Sequence, residues 1–192
     1  MSEKKKMLLH ICCAPCSTYT IEQLKAEYDI TGHFYNPNIH PKSEYLLREN
    51  EMKRYADTIG LDLICDEYDP DEWFDLVRGM ERMPEGGKRC LICYEMRLEK
   101  TARFAKEHGY EFITTTLSIS PHKNAEKINE VGLRVAERHQ IKFHTDDFKK
   151  KGGFEKSIQI SKENKLYRQS YCGCIFSKKE AEKRVSARKK RR

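Results

Sequence analysis

Residues 7–16 read Met7-Leu8-Leu9-His10-Ile11-Cys12-Cys13-Ala14-Pro15-Cys16. The apolar run over 7–13 reads as a strand, and Pro15 with Ser17 opens a helix-compatible segment to about Tyr28, with Ile21 and Leu24 as its apolar positions. This strand-turn-helix pattern recurs outward along the chain. A strand near 30–35 precedes a helix over about 43–59 closed by Gly60, and a strand follows over 61–65. The turn Asp69-Pro70-Asp71 caps a short helix through Trp73 and Val77. A longer helix runs from near Cys90 to Gly109, a strand covers 112–117, and a helix over 121–140 carries Ile128, Val131 and Val135 on one face. A short strand over 141–144 follows, and 149–175 is the least regular part. Alternation at this spacing predicts an α/β protein with a single doubly wound, mostly parallel, Rossmann-like sheet covered on both faces. No internal repeat or Gly/Ser linker divides the chain. The expected organisation is one α/β domain over 1–177 and a basic helix or tail over 178–192.

A chain of 192 residues with 38% hydrophobic and 10% aromatic side chains can build one sizeable core without a disulfide framework. It contains no run near the ~18 apolar residues of a membrane span. The basic start followed by a short apolar stretch imitates a signal peptide, but the stretch is too short and His10 interrupts it, so a cytoplasmic protein with no membrane partner is expected. Residues 178–192 hold nine basic and two acidic side chains, which accounts for the whole net charge of +7. Such a tail is either a solvated helix or an arm that neutralises nucleic-acid phosphates, as Lys149-Lys150-Lys151 could also be.

Eight cysteines are anomalous in a reducing compartment and call for metal or redox chemistry. Seven fall in close-spaced motifs: Cys12-Cys13-Ala14-Pro15-Cys16, Cys90-Leu91-Ile92-Cys93 and Cys172-Gly173-Cys174. Cys65 stands alone and reads as structural. Cys12 and Cys13 follow the first strand, where open parallel sheets gather their ligands, and they can share a metal only if the chain turns there. Cys90 and Cys93 have the gap that lets two sulfurs of one turn reach a single metal. A disulfide across Gly173 would close a small strained ring that is easily reduced, which suits a cycling pair. The same cysteines could instead be further metal ligands or inert thiols. Cys13-Ala14-Pro15-Cys16 also matches the thioredoxin-like C-x-P-C pattern. Three classes follow: an iron–sulfur oxidoreductase, a zinc-bound nucleic-acid-binding module, and a thioredoxin-like thiol exchanger.

Six segments together resemble one family: H-I-C-C-A-P-C at His10, F-Y-N-P-N-I-H-P at Phe34, E-Y-x-x-R at Glu44 to Arg48, C-x-x-C at Cys90, T-T-T-L-x-I-S-P-H at Thr114 and Y-C-G-C at Tyr171. The family is epoxyqueuosine reductase of the QueH type, and the likeness runs from Leu8 to Cys174. It implies reduction of the epoxide of epoxyqueuosine at the wobble position of tRNA, completing queuosine without cobalamin. It implies an adenine-nucleotide alpha-hydrolase-like fold. It also implies a [4Fe-4S] cluster on Cys12, Cys13, Cys90 and Cys93, and a redox-active disulfide at Cys172 and Cys174. The implied partners are tRNA carrying epoxyqueuosine in its anticodon loop and an unidentified electron donor.

The residues are compatible with that implication. The slot after the first strand has no glycine, and Pro15 lacks an N–H, so an ATP phosphate nest and an ATP-using tRNA thiolase are disfavoured. Converting an epoxide to an alkene and water takes two electrons and two protons. An iron–sulfur centre passes one electron at a time, so a dithiol at Cys172/Cys174 is a useful second store, with a second iron held there as the alternative. Candidate proton donors are His40, Asp69, Asp71, His122 and Tyr171. Asn36-Pro37-Asn38 reads as a turn, and Trp73 as a core residue. Cys16 has no settled role.

Overall fold

The structure is a computed structural model that describes residues 4–189; the last three residues of the basic tail lie outside it. Along the chain come β1 (Lys5–His10), α1 (Ala14–Leu24), β2 (Tyr28–Phe34), α2 (Lys42–Ile59), β3 (Leu63–Cys65), α3 (Asp71–Leu76) and α4 (Lys88–Glu107). These are followed by β4 (Phe112–Thr115), a 3-10 turn (Thr116–Ile119), α5 (Ala125–Arg138), β5 (Lys142–Phe143), α6 (Gly153–Glu163) and α7 (Ile175–Lys189).

The five strands form one sheet in the order β3-β2-β1-β4-β5, and every neighbouring pair is parallel. The expected sheet was mostly parallel; the observed one is wholly so. The first three strands wind one way from β1 and the last two wind the other, so the switch point lies between β1 and β4. Side chains of β1 alternate between the two faces. Met7, Leu9 and Ile11 join a core with Leu24, Phe34, Tyr45 and Met52 under α1 and α2. Leu8 joins Leu98, Ile113, Ile128, Val131 and Val135 under α4 and α5. Each fully buried aliphatic side chain contributes about 1.5–3 kcal/mol. These two layers hold the carboxyl ends of β1 and β4 rigidly side by side.

Three local differences from the sequence reading have physical causes. The first strand stops at His10, because the chain turns away and Cys12 N–H bonds the Thr116 side chain rather than a neighbouring strand. The strand expected over 112–117 ends at Thr115, whose hydroxyl accepts from Leu117 N–H and starts the 3-10 turn. Within 149–175 the chain forms α6, which packs on α1 through Gly153, Ser157 and Ser161. That face is small and polar and leaves no apolar stripe in the sequence. A Cβ at Gly153 would fall 1.9 Å from the Phe148 carbonyl oxygen and 2.6 Å from the Tyr19 ring, so close approach requires glycine. The division expected between 177 and 178 falls inside α7, whose first turns pack on the domain while Glu182 to Ala187 are exposed.

Candidate active site at the carboxyl edge of the sheet

His10 fixes the edge. Fully buried at the end of β1, it bonds Thr115 Oγ1 through Nδ1 (2.8 Å) and the Tyr35 carbonyl through Nε2 (3.2 Å). A carbonyl can only accept, so Nε2 carries the proton and Nδ1 accepts from the threonine. Burial, and then the Arg97 charge, push its pKa down to about 3. His10 is therefore a neutral tie between the ends of β2, β1 and β4.

The turn after it brings three thiols together. Sγ atoms of Cys12, Cys13 and Cys16 all lie within 4.8 Å of one another, the single such metal-ligand group among the described residues. Cys12 and Cys13 sulfurs are 3.9 Å apart, so the chain does turn as a shared site requires. Cys13 is the N-cap of α1, and Pro15 starts that helix without a wasted donor. Cys16 lies one turn on, which gives the residue left without a role a place beside the other two. Thr116 Oγ1 accepts from Cys12 N–H (3.1 Å) and donates to Cys12 Sγ (3.4 Å); Gln169 Nε2 donates to Cys13 Sγ (3.0 Å). Hydrogen bonds from Cys13 and Cys16 hold the Cys12 thiol well below its usual range, with Lys123 and Thr116 adding to the effect. Burial pushes Cys13 up to about 12, and Cys16 is raised by its bonds to the other two sulfurs. Of the three thiols, Cys12 is the one whose surroundings favour loss of its proton.

Cys90 lies in the first turn of α4, where its sulfur accepts from Gly86 N–H (3.2 Å). Cys93 is a turn deeper and shares an apolar cluster with Cys174, Trp73, Val77 and Met96. Burial raises both thiols, Cys93 to about 12, and the charges of Cys172 and Cys174 raise them further. The second and third motifs are therefore electrostatic neighbours. Cys90 and Cys93 are not within the 4.8 Å group of Cys12, Cys13 and Cys16.

What joins the motifs is a buried cation. A cleft open to solvent is lined by Cys12, Cys16 and Cys172 together with Arg97 and Lys123. Arg97, 2% exposed, donates to the Cys93 carbonyl (3.0 Å) and Asn36 Oδ1 (3.4 Å), and its Nη2 has no partner among the described residues. The sulfurs of Cys93, Cys172 and Cys12 raise its pKa against the penalty of burial. Lys123 is raised in the same way by Cys172, Tyr94, Cys12 and Cys16. A buried guanidinium without a carboxylate costs several kcal/mol unless anionic groups surround it. Thiolates, or an anionic thiolate-bound cluster, are the matching charge, so the donor set and the orphaned Nη2 fit such a group.

The proton-donor candidates separate. His122 and Tyr171 line the cleft. Tyr171 O–H donates to the His40 carbonyl (2.6 Å). His40 is buried away from the cleft against Trp73 and Phe74, with its pKa lowered by burial. Asp69 accepts from Asp71 N–H, and Asp71 begins α3, so both serve the turn. Trp73 is core, and Cys65 ends β3 with its thiol pushed up to about 11 by burial. Asn36 Nδ2 donates to the Ile11 carbonyl, which makes it a tie between β1 and the loop after β2. Sequence reasoning missed Arg97, Lys123, Thr116 and Gln169. Of these, only Thr116 and Lys123 had a visible signal, within or beside the Thr114 to His122 motif.

A doubly wound parallel sheet with a thiol cluster at its switch point, beside buried Arg97 and half-buried Lys123, defines a thiol-centred α/β protein. This chain belongs to the epoxyqueuosine reductase QueH family, whose model matches residues 7–180. The epoxyqueuosine reductase QueH of Staphylococcus epidermidis is 44% identical over 183 residues, covering 91% of this chain and 77% of that protein. Its Haemophilus influenzae counterpart is 44% identical over 180 residues, covering 93% and 74%. The Thermotoga maritima protein of that name is 38% identical over 174 residues, covering 89% of each. Among solved structures, the U34-tRNA thiolase NcsA from Methanococcus maripaludis with its [4Fe-4S] cluster aligns with 84% of this chain and 67% of its own. The TM-score is 0.43 at 10% identity, too remote to bear on chemistry.

Proposed function

We propose that this chain is an oxidoreductase that reduces the epoxide of epoxyqueuosine at the wobble position of tRNA to give queuosine. The observation that carries the reading is the buried Arg97, placed among thiols from all three cysteine motifs. Cys12, Cys13, Cys90 and Cys93 would hold a [4Fe-4S] cluster, and Cys172 with Cys174 would form the two-electron pair. When bound, the cluster supplies single electrons at a potential set by charge and hydrogen bonding around its sulfurs. Arg97 and Lys123 compensate the sulfur charge, while Thr116 and Gln169 fix the orientation of Cys12 and Cys13. The balance closes with the dithiol: epoxide plus two thiols gives alkene, water and one disulfide, which an external electron donor then reduces. His122 and Tyr171 are the remaining candidates for protonating the departing oxygen, since both face the cleft.

The sulfurs of the three motifs outnumber the four that one cubane uses, so a second iron held at Cys172/Cys174 is the alternative to the disulfide.

The deciding experiment is anaerobic purification followed by iron and sulfide analysis and turnover on tRNA bearing epoxyqueuosine. Iron and sulfide in near-equal amounts, with broad absorption near ~400 nm, and queuosine formation are expected. Stoichiometric zinc without sulfide would leave the zinc-bound module, and colourless protein active in thiol exchange would leave the thioredoxin-like exchanger.

For tRNA, α7 walls the cleft through Ser177, Ala181 and Arg184 and also carries exposed Lys179 and Lys183. Lys149 and Lys150 are already paired with Asp147. Replacing Lys179 and Lys183 with Glu should weaken tRNA binding and flatten its log–log salt dependence by about 0.7–0.9 for each phosphate no longer neutralised. Unchanged affinity and slope would make α7 a solvated bystander. Among the described residues no helix is long and apolar enough to cross a membrane. A tRNA substrate is the reason for reading the protein as cytoplasmic.

A further inference from the structure

The carbonyls of three consecutive loop residues, Tyr171, Cys172 and Gly173, are all held by one wall of the protein. Arg48 on α2, 2% exposed, donates from Nη1 to the Cys172 carbonyl (3.0 Å) and from Nη2 to the Tyr171 carbonyl (3.2 Å). Its Nε donates to Glu44 Oε1 one turn earlier (2.8 Å), and its guanidinium lies 5.1 Å from the centre of the Tyr171 ring. His40 N–H donates to the Gly173 carbonyl (2.8 Å). Gly173 has φ +140°, and a Cβ there would lie 3.0 Å from Ile39 and 3.2 Å from Arg48 Nη1. On the far side Cys174 Sγ contacts Ser177 through both the hydroxyl (3.4 Å) and the backbone N–H (3.3 Å). Both cysteines are free thiols.

We infer that Arg48, oriented by Glu44, is a positioning residue that holds the Cys172-Gly173-Cys174 loop in its dithiol form and so raises the reduction potential of that pair. This rests on the redox role proposed for the pair. Joining the sulfurs requires Cβ atoms about 3.5–4.5 Å apart, and a ring closed across one residue constrains the peptide planes on either side of Gly173. Those planes carry the Cys172 and Gly173 carbonyls, which Arg48 and His40 hold in place. A stabilised reduced form makes the couple more oxidising and eases its re-reduction by the donor. Oxidation is balanced by glutathione disulfide: two cysteine thiols become one disulfide while the oxidant becomes two glutathione thiols.

The test equilibrates full-length protein in glutathione buffers and reads the Cys172/Cys174 state by thiol alkylation and mass. Arg48→Lys keeps the charge but loses the fork. It should shift the equilibrium at least tenfold toward disulfide, about 30 mV more negative for a two-electron couple. Glu44→Gln should shift it less in the same direction. Arg54→Lys, an exposed arginine of the same helix paired with Glu51, should not shift it. An unmoved couple in Arg48→Lys, or one moved toward dithiol, overturns the clamp and leaves the redox pair standing. If Arg48→Lys fails to fold by circular dichroism, an unmoved couple in Glu44→Gln overturns it. Wild-type protein that never forms the Cys172–Cys174 disulfide at any poise removes the redox role, and the clamp with it.

Discussion

Replacing Cys90 with alanine is expected to remove iron, sulfide and the absorption near ~400 nm together, and turnover with them. The thiol sits at the N-terminus of α4, where the helix dipole and the Gly86 N–H favour a thiolate once a metal offsets the cost of burial. On the proposed ligand set, removing it takes away one of four donors and leaves Arg97 and Lys123 among fewer anions. The fold should survive, because Cys90 is only half-buried and packs at the margin of the second core. Circular dichroism near that of the parent protein, with iron reduced to background, is the expected pair of observations. A Cys90→Ala protein that retains its full iron and sulfide would remove Cys90 from the ligand set.

Cys172→Ala should have the opposite signature, with the chromophore kept and turnover lost. If the pair stores two electrons, its loss leaves no partner to complete the reduction after a single electron has moved. Turnover should fall by more than about 100-fold, roughly 2.7 kcal/mol or more in barrier. The measurement combines iron content with queuosine formation on the same sample. Joint loss of iron and activity would instead make Cys172 a ligand. The two variants are informative together because Cys90, Cys93, Cys172 and Cys174 are electrostatic neighbours, and only their separate behaviour divides ligands from redox pair.

Much of the architecture was legible because it rests on local patterns. The continuous apolar stretch of β1, the helix ending before Gly60 and the apolar stripe of Ile128, Val131 and Val135 each state their own environment. The helix α6 was not legible, since it packs by small side chains rather than apolar ones. At the site, the three cysteine motifs were visible as spacings, and the turn after β1 was permitted by Ala14-Pro15. The place of Cys16 was not readable, because an extra thiol one turn into a helix looks the same whether it faces a cluster or a core.

Sequence alone was enough to establish an alternating α/β chain, the concentration of thiols into three motifs and the family likeness, since each is written in short, contiguous stretches. Folding was needed to bring Thr116 to Cys12 across 104 residues and Gln169 to Cys13 across 156. It was needed also to bury Arg97 among sulfurs and to set Arg48 on the Cys172 loop. A charge withdrawn from water has no local signature. Its position is fixed by which groups the packed sheet and helices leave beside it, and those groups come from every part of the chain.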